Sequence, residues 1–261
     1  MADASCGILA HLGVAVPGTA IASYALGFEF VSESLKKTGT IIDTSGMRGT
    51  RSHASERTVA GPYTVTGQIV FDATPTLLVT WLPYILGADA SGTTFALAET
   101  VSYFDICIDR VANRFVYANC KVSKATFTSV SGQPLRLTLD IIGETETVSA
   151  TAFPAITAPT DPPYAFHQLV ATLVSSARII KSIEVSIDNG LEARVSNSQS
   201  VTSIMPTDRI IMVNVTTPYT SVEADLYAQT LLGTAGTLVW TNGGLSTTFT
   251  FGKLQVPDNS P

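Results

Sequence analysis

Charged residues are scarce in this sequence. Asp, Glu, Lys and Arg make up 14% of its 261 residues, against roughly 25% in ordinary soluble domains. No basic run is longer than Lys36-Lys37, and 15 basic against 21 acidic side chains leave a net charge of −6. A protein that holds nucleic acid by neutralising phosphates is therefore disfavoured. Contact without adhesion is compatible with this balance, because an acidic wall repels a polyanion and lets it slide. Cysteine is equally sparse. Cys6, Cys107 and Cys120 are odd in number and show no CxxC spacing, which indicates neither a disulfide framework nor a zinc site and fits free thiols in a chain made in a cytoplasm. Long apolar runs are missing too. Residues 7–16 are apolar but lack a basic flank and are too short to span a bilayer; they read as an N-terminal arm that packs on a partner.

What the sequence has instead is hydrophobic residues at 45% and a mean hydropathy of +0.29, with polarity supplied by Thr and Ser. β-Branched Thr suits a pleated, half-buried surface better than a helix, so a mainly β protein is expected. The length suffices for one large domain or two of about 130 residues. A surface so poor in charge also suits a chain covered by copies of itself, since interface cores are depleted in Lys, Glu and Asp.

The clearest boundary is residues 153–164, where Pro154, Pro159, Pro162 and Pro163 fall within ten residues and disfavour both helix and ladder. Upstream, residues 63–72 alternate with Val65, Gly67, Ile69 and Phe71 on one face, the mark of a strand. Thr74 as N-cap, Pro75 at the first helical position and Gly87 after the end predict a short helix over 75–86. Residues 101–109, 115–128 and 135–143 read as further strands, the last with Leu135, Leu137, Leu139 and Ile141 on one side. Downstream, residues 183–195 alternate around Asp188-Asn189-Gly190, which predicts a hairpin turn. Strands over 209–216, 237–241 and 247–256 and a helix over 221–232 complete the chain. Residues 63–87 laid over 208–233 pair strand with strand and helix with helix at an offset of about 146 residues. A duplicated β-β-α-β unit is the resulting expectation.

Sites for chemistry are thin. His11, His53 and His167 form no pair at metal spacing, and no HExxH, GxSxG, Walker loop or dinucleotide fingerprint occurs. Asp105 and Asp109 share a strand face but lie roughly 13 Å apart, so a solvated or channel-facing pair is expected in preference to a glycosidase dyad. A hydrolase has no constellation to rest on, and no cofactor is implied. The outlier is the segment 46–62, with Arg48, Arg51 and Arg57 in ten residues, interrupted by Glu56. It reads either as a solvated loop or as a loop that reaches a neighbouring subunit, where arginine forks meet an acidic surface.

Residues 33–37 (Glu-Ser-Leu-Lys-Lys), the arginine loop ending at Gly61-Pro62, the strand 63–71, the helix closing at Leu86-Gly87 and the hairpin 120–142 together resemble the tail tube proteins of long-tailed bacteriophages. The resemblance covers the first half well and the second loosely. It implies a β-sandwich or partly closed barrel with a short flanking helix in each unit, and rings stacked into a tube. The implied layout is an arm over 1–27, a first tube-like domain over 28–153, a linker over 154–164 and a second domain over 165–261. The arm and the loop around Arg48, Arg51, Glu56 and Arg57 would bridge rings. Duplicated members form trimers that imitate hexamers; a plain hexamer is the alternative. Asp140, Glu144 and Glu146 are the candidates for an acidic lumen that conducts DNA. The partners implied are further copies of the chain, a tape-measure protein and DNA in the lumen, and tail terminator and distal tail proteins. The place implied is the virion tail, assembled in the host cytoplasm without membrane insertion. A type VI secretion tube is a second structural possibility. From another class, a tandem β-sandwich that binds carbohydrate or a cell surface requires an exposed aromatic platform, whereas Trp81 and Trp240 sit at positions suited to core packing.

Overall fold

The computed structural model describes residues 9–24, 26–43, 46–47, 49–52, 57–89, 92–151, 159–218 and 233–255. Its first half contains β1 (His11–Ala15), β2 (Leu26–Phe28), β3 (Ser32–Glu33), β4 (Lys36–Asp43), β5 (Thr58–Asp72), α1 (Pro75–Leu86), β6 (Gly87–Asp89) and β7 (Phe95–Leu97). It continues through β8 (Phe104–Asp109), β9 (Arg114–Val130), β10 (Arg136–Gly143) and β11 (Thr145–Ser149). The second half contributes β12 (Leu169–Leu173), β13 (Ser176–Arg178), β14 (Ser182–Asp188), β15 (Leu191–Arg194), β16 (Ser203–Pro206), β17 (Ile210–Thr216), β18 (Thr234–Asn242) and β19 (Leu245–Leu254). The protein is mainly β, built from several antiparallel sheets in the manner of a β-sandwich, with no closed barrel among the described residues.

The long strand β9 organises the fold. Its first part pairs with β8 and β11, giving a sheet in the order β2-β1-β8-β9-β11. Its second part pairs with β10 and β14, giving a second sheet in the order β4-β5-β10-β9-β14-β17, with β3 in line with β4 along β5. The change of sheet occurs at Asn119, which has φ 51°. Asp105 on β8 accepts the Asn119 backbone N–H at 2.8 Å, and the Asn119 amide donates to Glu144 at 2.7 Å. The β8–β9 register shifts beside Asp105, a bulge of the kind that bends a strand between sheets. A third sheet, β13-β12-β18-β19, packs on the second through Phe249 against Phe127, with ring centroids 5.0 Å apart.

Sequence patterning accounts for the core. Val65, Ile69, Phe71, Leu135, Leu137, Leu139 and Ile141 are all buried, as the alternation requires. Helix α1 is capped as expected: Thr74 accepts the Leu77 N–H, Pro75 opens the first turn, and Gly87 closes the helix at φ 97°. A Cβ on Gly87 would stand 2.4 Å from the Thr100 carbonyl oxygen, so this position needs glycine on both counts. The helix buries Leu77, Leu78, Trp81, Leu82 and Ile85. The second predicted helix, over 221–232, lies outside the described residues.

Three expectations are corrected. Within the stretch 1–27 expected as an arm, residues 11–15 and 26–27 belong to the body instead: β1 lies between β2 and β8 with Leu12 and Val14 buried, because their alternation completes the chain's own sheet. Asp188-Asn189-Gly190 forms no hairpin turn, since β14 pairs with β9 and β17 whereas β15 pairs with β16. Asn189 is buried there and donates to the carbonyls of Ile85 and Val122, which draws the chain inward instead of reversing it. Asp105 and Asp109 are neither solvated nor channel-facing. Both are buried; Asp105 accepts N–H groups from Gly18 and Asn119, and Asp109 those of Val111 and the Arg114 side chain.

Residues 159–164 are docked. Tyr164 is buried, donates its N–H to Ala73 and accepts that of Leu135, while Asp161 accepts the Thr76 N–H at the start of α1. One hydrophobic core holds residues from both sides of the proline-rich segment, among them Phe127, Ile183, Leu238 and Trp240.

Partial burial pushes the Asp161 carboxyl up, and the hydrogen bonds from Thr76 and Thr74 outweigh it, so its pKa lies below the usual carboxylate range. The contribution to stability is therefore complete above about pH 4 and is lost as pH falls through the lowered value. Asp161→Asn is expected to cost about 0.3–1 kcal/mol at neutral pH. In urea titrations the gap between variant and wild type should close on acidification; a gap that widens would refute the assignment.

Burial, reinforced by Asp109, pushes the Cys107 thiol up to about 12, and burial likewise raises Cys120. Thiolate, the reactive form, is thus withheld at both. In a Cys6→Ser background, thiol reagents at pH 8 should label neither cysteine in the native protein and both after unfolding.

Candidate assembly surfaces and channel wall

The second sheet has one face on the core and one open. On the open face the register aligns Gln68, Asp140, Lys124 and Asp188 across β5, β10, β9 and β14. The next rows are Val70, Thr138, Thr126 and Ser186, then Asp72, Arg136, Thr128 and Glu184. Asp140 accepts from the Gln68 amide at 2.9 Å, and Arg136 lies 3.5 Å from Asp72. On these four strands Asp72, Asp140, Glu184 and Asp188 stand against Arg136 and Lys124, and Lys36 adds a cation on the edge strand β4. The face is hydroxyl-rich, of mixed sign and slightly acidic.

The three acidic candidates do not form one patch. Asp140 sits in the middle of the open face. Glu144 is held by Asn119 at the bend of β9, and Glu146 on β11 accepts the Lys37 backbone N–H at 2.9 Å. Lys124, Glu184 and Asp188 were missed as members of the face. The alternation of residues 182–188 marks one side as polar, but only the long-range pairing of β14 with β9 puts it beside Asp140.

The strands β4 and β5 continue past the body as a two-stranded ribbon. Every residue of β4 is exposed, as are Thr58, Val59 and Ala60, and Ile41 is 78% exposed. At the base of the ribbon, Gln199 accepts the Tyr63 N–H at 2.8 Å and donates its side-chain amide to the Ala60 carbonyl. On the other strand the Lys37 ammonium sits 3.7 Å from the Tyr63 ring centroid. Arg51 and Arg57, in the loop at the ribbon's tip, are exposed; Arg48 and Glu56 lie outside the described residues.

At the other side of the second sheet β17 pairs only with β14, and β4 only with β5, among the described residues. Ile210 and Met212 on β17 are more than half exposed. Unpaired edges with apolar side chains are a liability unless a partner covers them.

The chain is thus a mainly β protein whose largest sheet ends, among the described residues, in two such edges. A family model described as phage tail tube protein matches residues 7–261, and the chain belongs to that family. It is thus a structural component of the virion tail, of a kind that assembles with copies of itself into a tube. A comparison with curated proteins finds no match.

Proposed function

We propose that copies of this chain close into a ring through the edges of the second sheet, that rings stack into the tail tube, and that the sheet's open face lines a lumen through which DNA passes. The observation that carries this is the pair of outer strands, β4 and β17, of one sheet of six strands that alternate in direction; among the described residues β4 pairs only with β5 and β17 only with β14, with the Lys37 N–H of β4 taken by Glu146. With an even count, β17 of one copy runs antiparallel to β4 of the next, so the contact repeats head to tail round an axis. A wall rich in Thr and Ser with a small acidic surplus does not hold phosphates.

The ring is read as a trimer that imitates a hexamer, with one unit over 28–153, extended by the preceding strands β1 and β2, and a second over 165–261. Strand order supports the duplication: β2-β1-β8-β9 in the first half has its counterpart in β13-β12-β18-β19, and the pair β4·β5 in β14·β17. A plain hexamer is the alternative, and class averages of rings distinguish the two. The arginine loop at the ribbon's tip supplies contacts between rings. Tape-measure protein in the lumen and terminator and distal tail proteins at the tube ends complete the assembly made in the host cytoplasm. A sugar-binding module is disfavoured because Trp81 and Trp240 are fully buried, which removes the aromatic platform such a surface would use. Negative-stain microscopy of the concentrated protein is expected to show rings and tubes. Monomers alone at every salt and concentration would end the proposal.

A further inference from the structure

At the far end of β5 from the arginine loop lies a cleft of about 270 Å³. Its floor is Phe28 and Leu77, both buried, and Val31, 53% exposed, forms part of the rim. Glu29, Asp72 and Asp161 also line it. Asp72 has one carboxylate oxygen in a loose ion pair 3.5 Å from the Arg136 Nε, and its side chain as a whole is 39% exposed. Apolar walls with carboxylates beside them suit an arginine better than any other side chain, since its stem packs on hydrocarbon while its fork meets two oxygens at once.

The arginines exposed at the other end of the molecule are the matching groups. Thr58 and Asp72 bound β5, so loop and cleft are separated by about 45 Å of extended strand. The loop between β4 and β5 has 14 residues and reaches at most about 24 Å from its base. One chain therefore cannot join the two. Complementary surfaces at opposite ends of a molecule make a head-to-tail contact that does not close on itself but propagates.

We infer that the cleft bounded by Glu29, Asp72 and Asp161 receives Arg51 or Arg57 from a second copy in the adjoining ring. This rests on the stacked-ring function proposed above and names the receiving site for its loop. Charge reversal in the full-length chain tests it. Arg51→Glu with Arg57→Glu, and separately Glu29→Arg with Asp72→Lys, should each abolish tubes while rings persist in negative stain, with thermal melting checked for each. Glu29→Arg alone, at an exposed position, guards against misfolding and should also shorten the tubes. Combining both reversals in one chain should restore tubes. Wild-type-like tubes from the cleft variants, or no rescue by the combination, would overturn the cleft and leave the ring proposal standing. If wild type yields neither rings nor tubes, the function and this inference fall together.

Discussion

Trp81→Ala is expected to lower the stability of the monomer by about 3–5 kcal/mol. Trp81 is fully buried on α1, and its ring centroid lies 5.4 Å from Phe104, 5.6 Å from Phe71 and 6.4 Å from Phe28. These neighbours come from β8, β5 and β2, so one side chain joins the helix to both large sheets. The rings are fixed on separate strands and cannot collapse into the void, which places the cost at the upper end of the range. Since whole domains are stable by only about 5–15 kcal/mol, the variant should be partly unfolded at 37 °C. Trp81→Phe separates packing from polarity. The indole N–H has no hydrogen-bond partner, so phenylalanine gives up volume but no bond, and it should cost less than half as much. Urea unfolding at concentrations too low for assembly measures both. A loss for Trp81→Ala below about 1.5 kcal/mol, a typical small core change, would show that the sheets are not coupled through the helix.

The parts of this fold legible in the sequence are those whose causes are local. Thr74, Pro75 and Gly87 delimit α1 because caps act within one turn, and period-2 alternation placed Leu137 and Leu139 in the core and Asp140 on the opposite face. What could not be seen depends on partners far along the chain. Asp105 and Asp109 look like surface acids because polar residues in alternation normally face water. Both faces of β8 are covered, however, and the donors that hold Asp105 come from Gly18 and from Asn119 in a left-handed conformation. Asn189-Gly190 carries the letters of a tight turn, yet the Asn189 amide finds two buried carbonyls, and Arg209 donates to its side-chain oxygen at 2.9 Å. Burial of a satisfied amide outweighs a local turn preference. For the open face of the second sheet, alternation singles out Asp140, whereas Lys124, Glu184 and Asp188 join it only through register between β9 and β14, which sequence spacing does not encode.

Proline in β17 is expected to abolish ring formation without unfolding the chain, provided it replaces the N–H that faces outward. Successive backbone N–H groups of a strand point to opposite sides. Of the two variants Met212→Pro and Val213→Pro, one therefore removes a donor used in the ladder to β14, and the other a donor that the chain itself does not use. The first should lose about 0.5–1.5 kcal/mol for the bond and more for any strain. The second should melt within a few degrees of wild type, since proline is tolerated on an edge strand. It is this second variant that loses the ring while staying folded: a proline facing the next copy's β4 removes a cross-strand donor and sets a bulky ring in the ladder, and the same defect recurs at every contact round the closed circle. Sedimentation velocity and negative stain on the two proteins give the readout. A well-folded variant that sediments as a monomer at concentrations where wild type forms rings is the result expected. Rings from that outward-facing variant would show that β17 is not the lateral contact, and would move the search for it to the exposed edge of β19, which pairs only with β18 among the described residues.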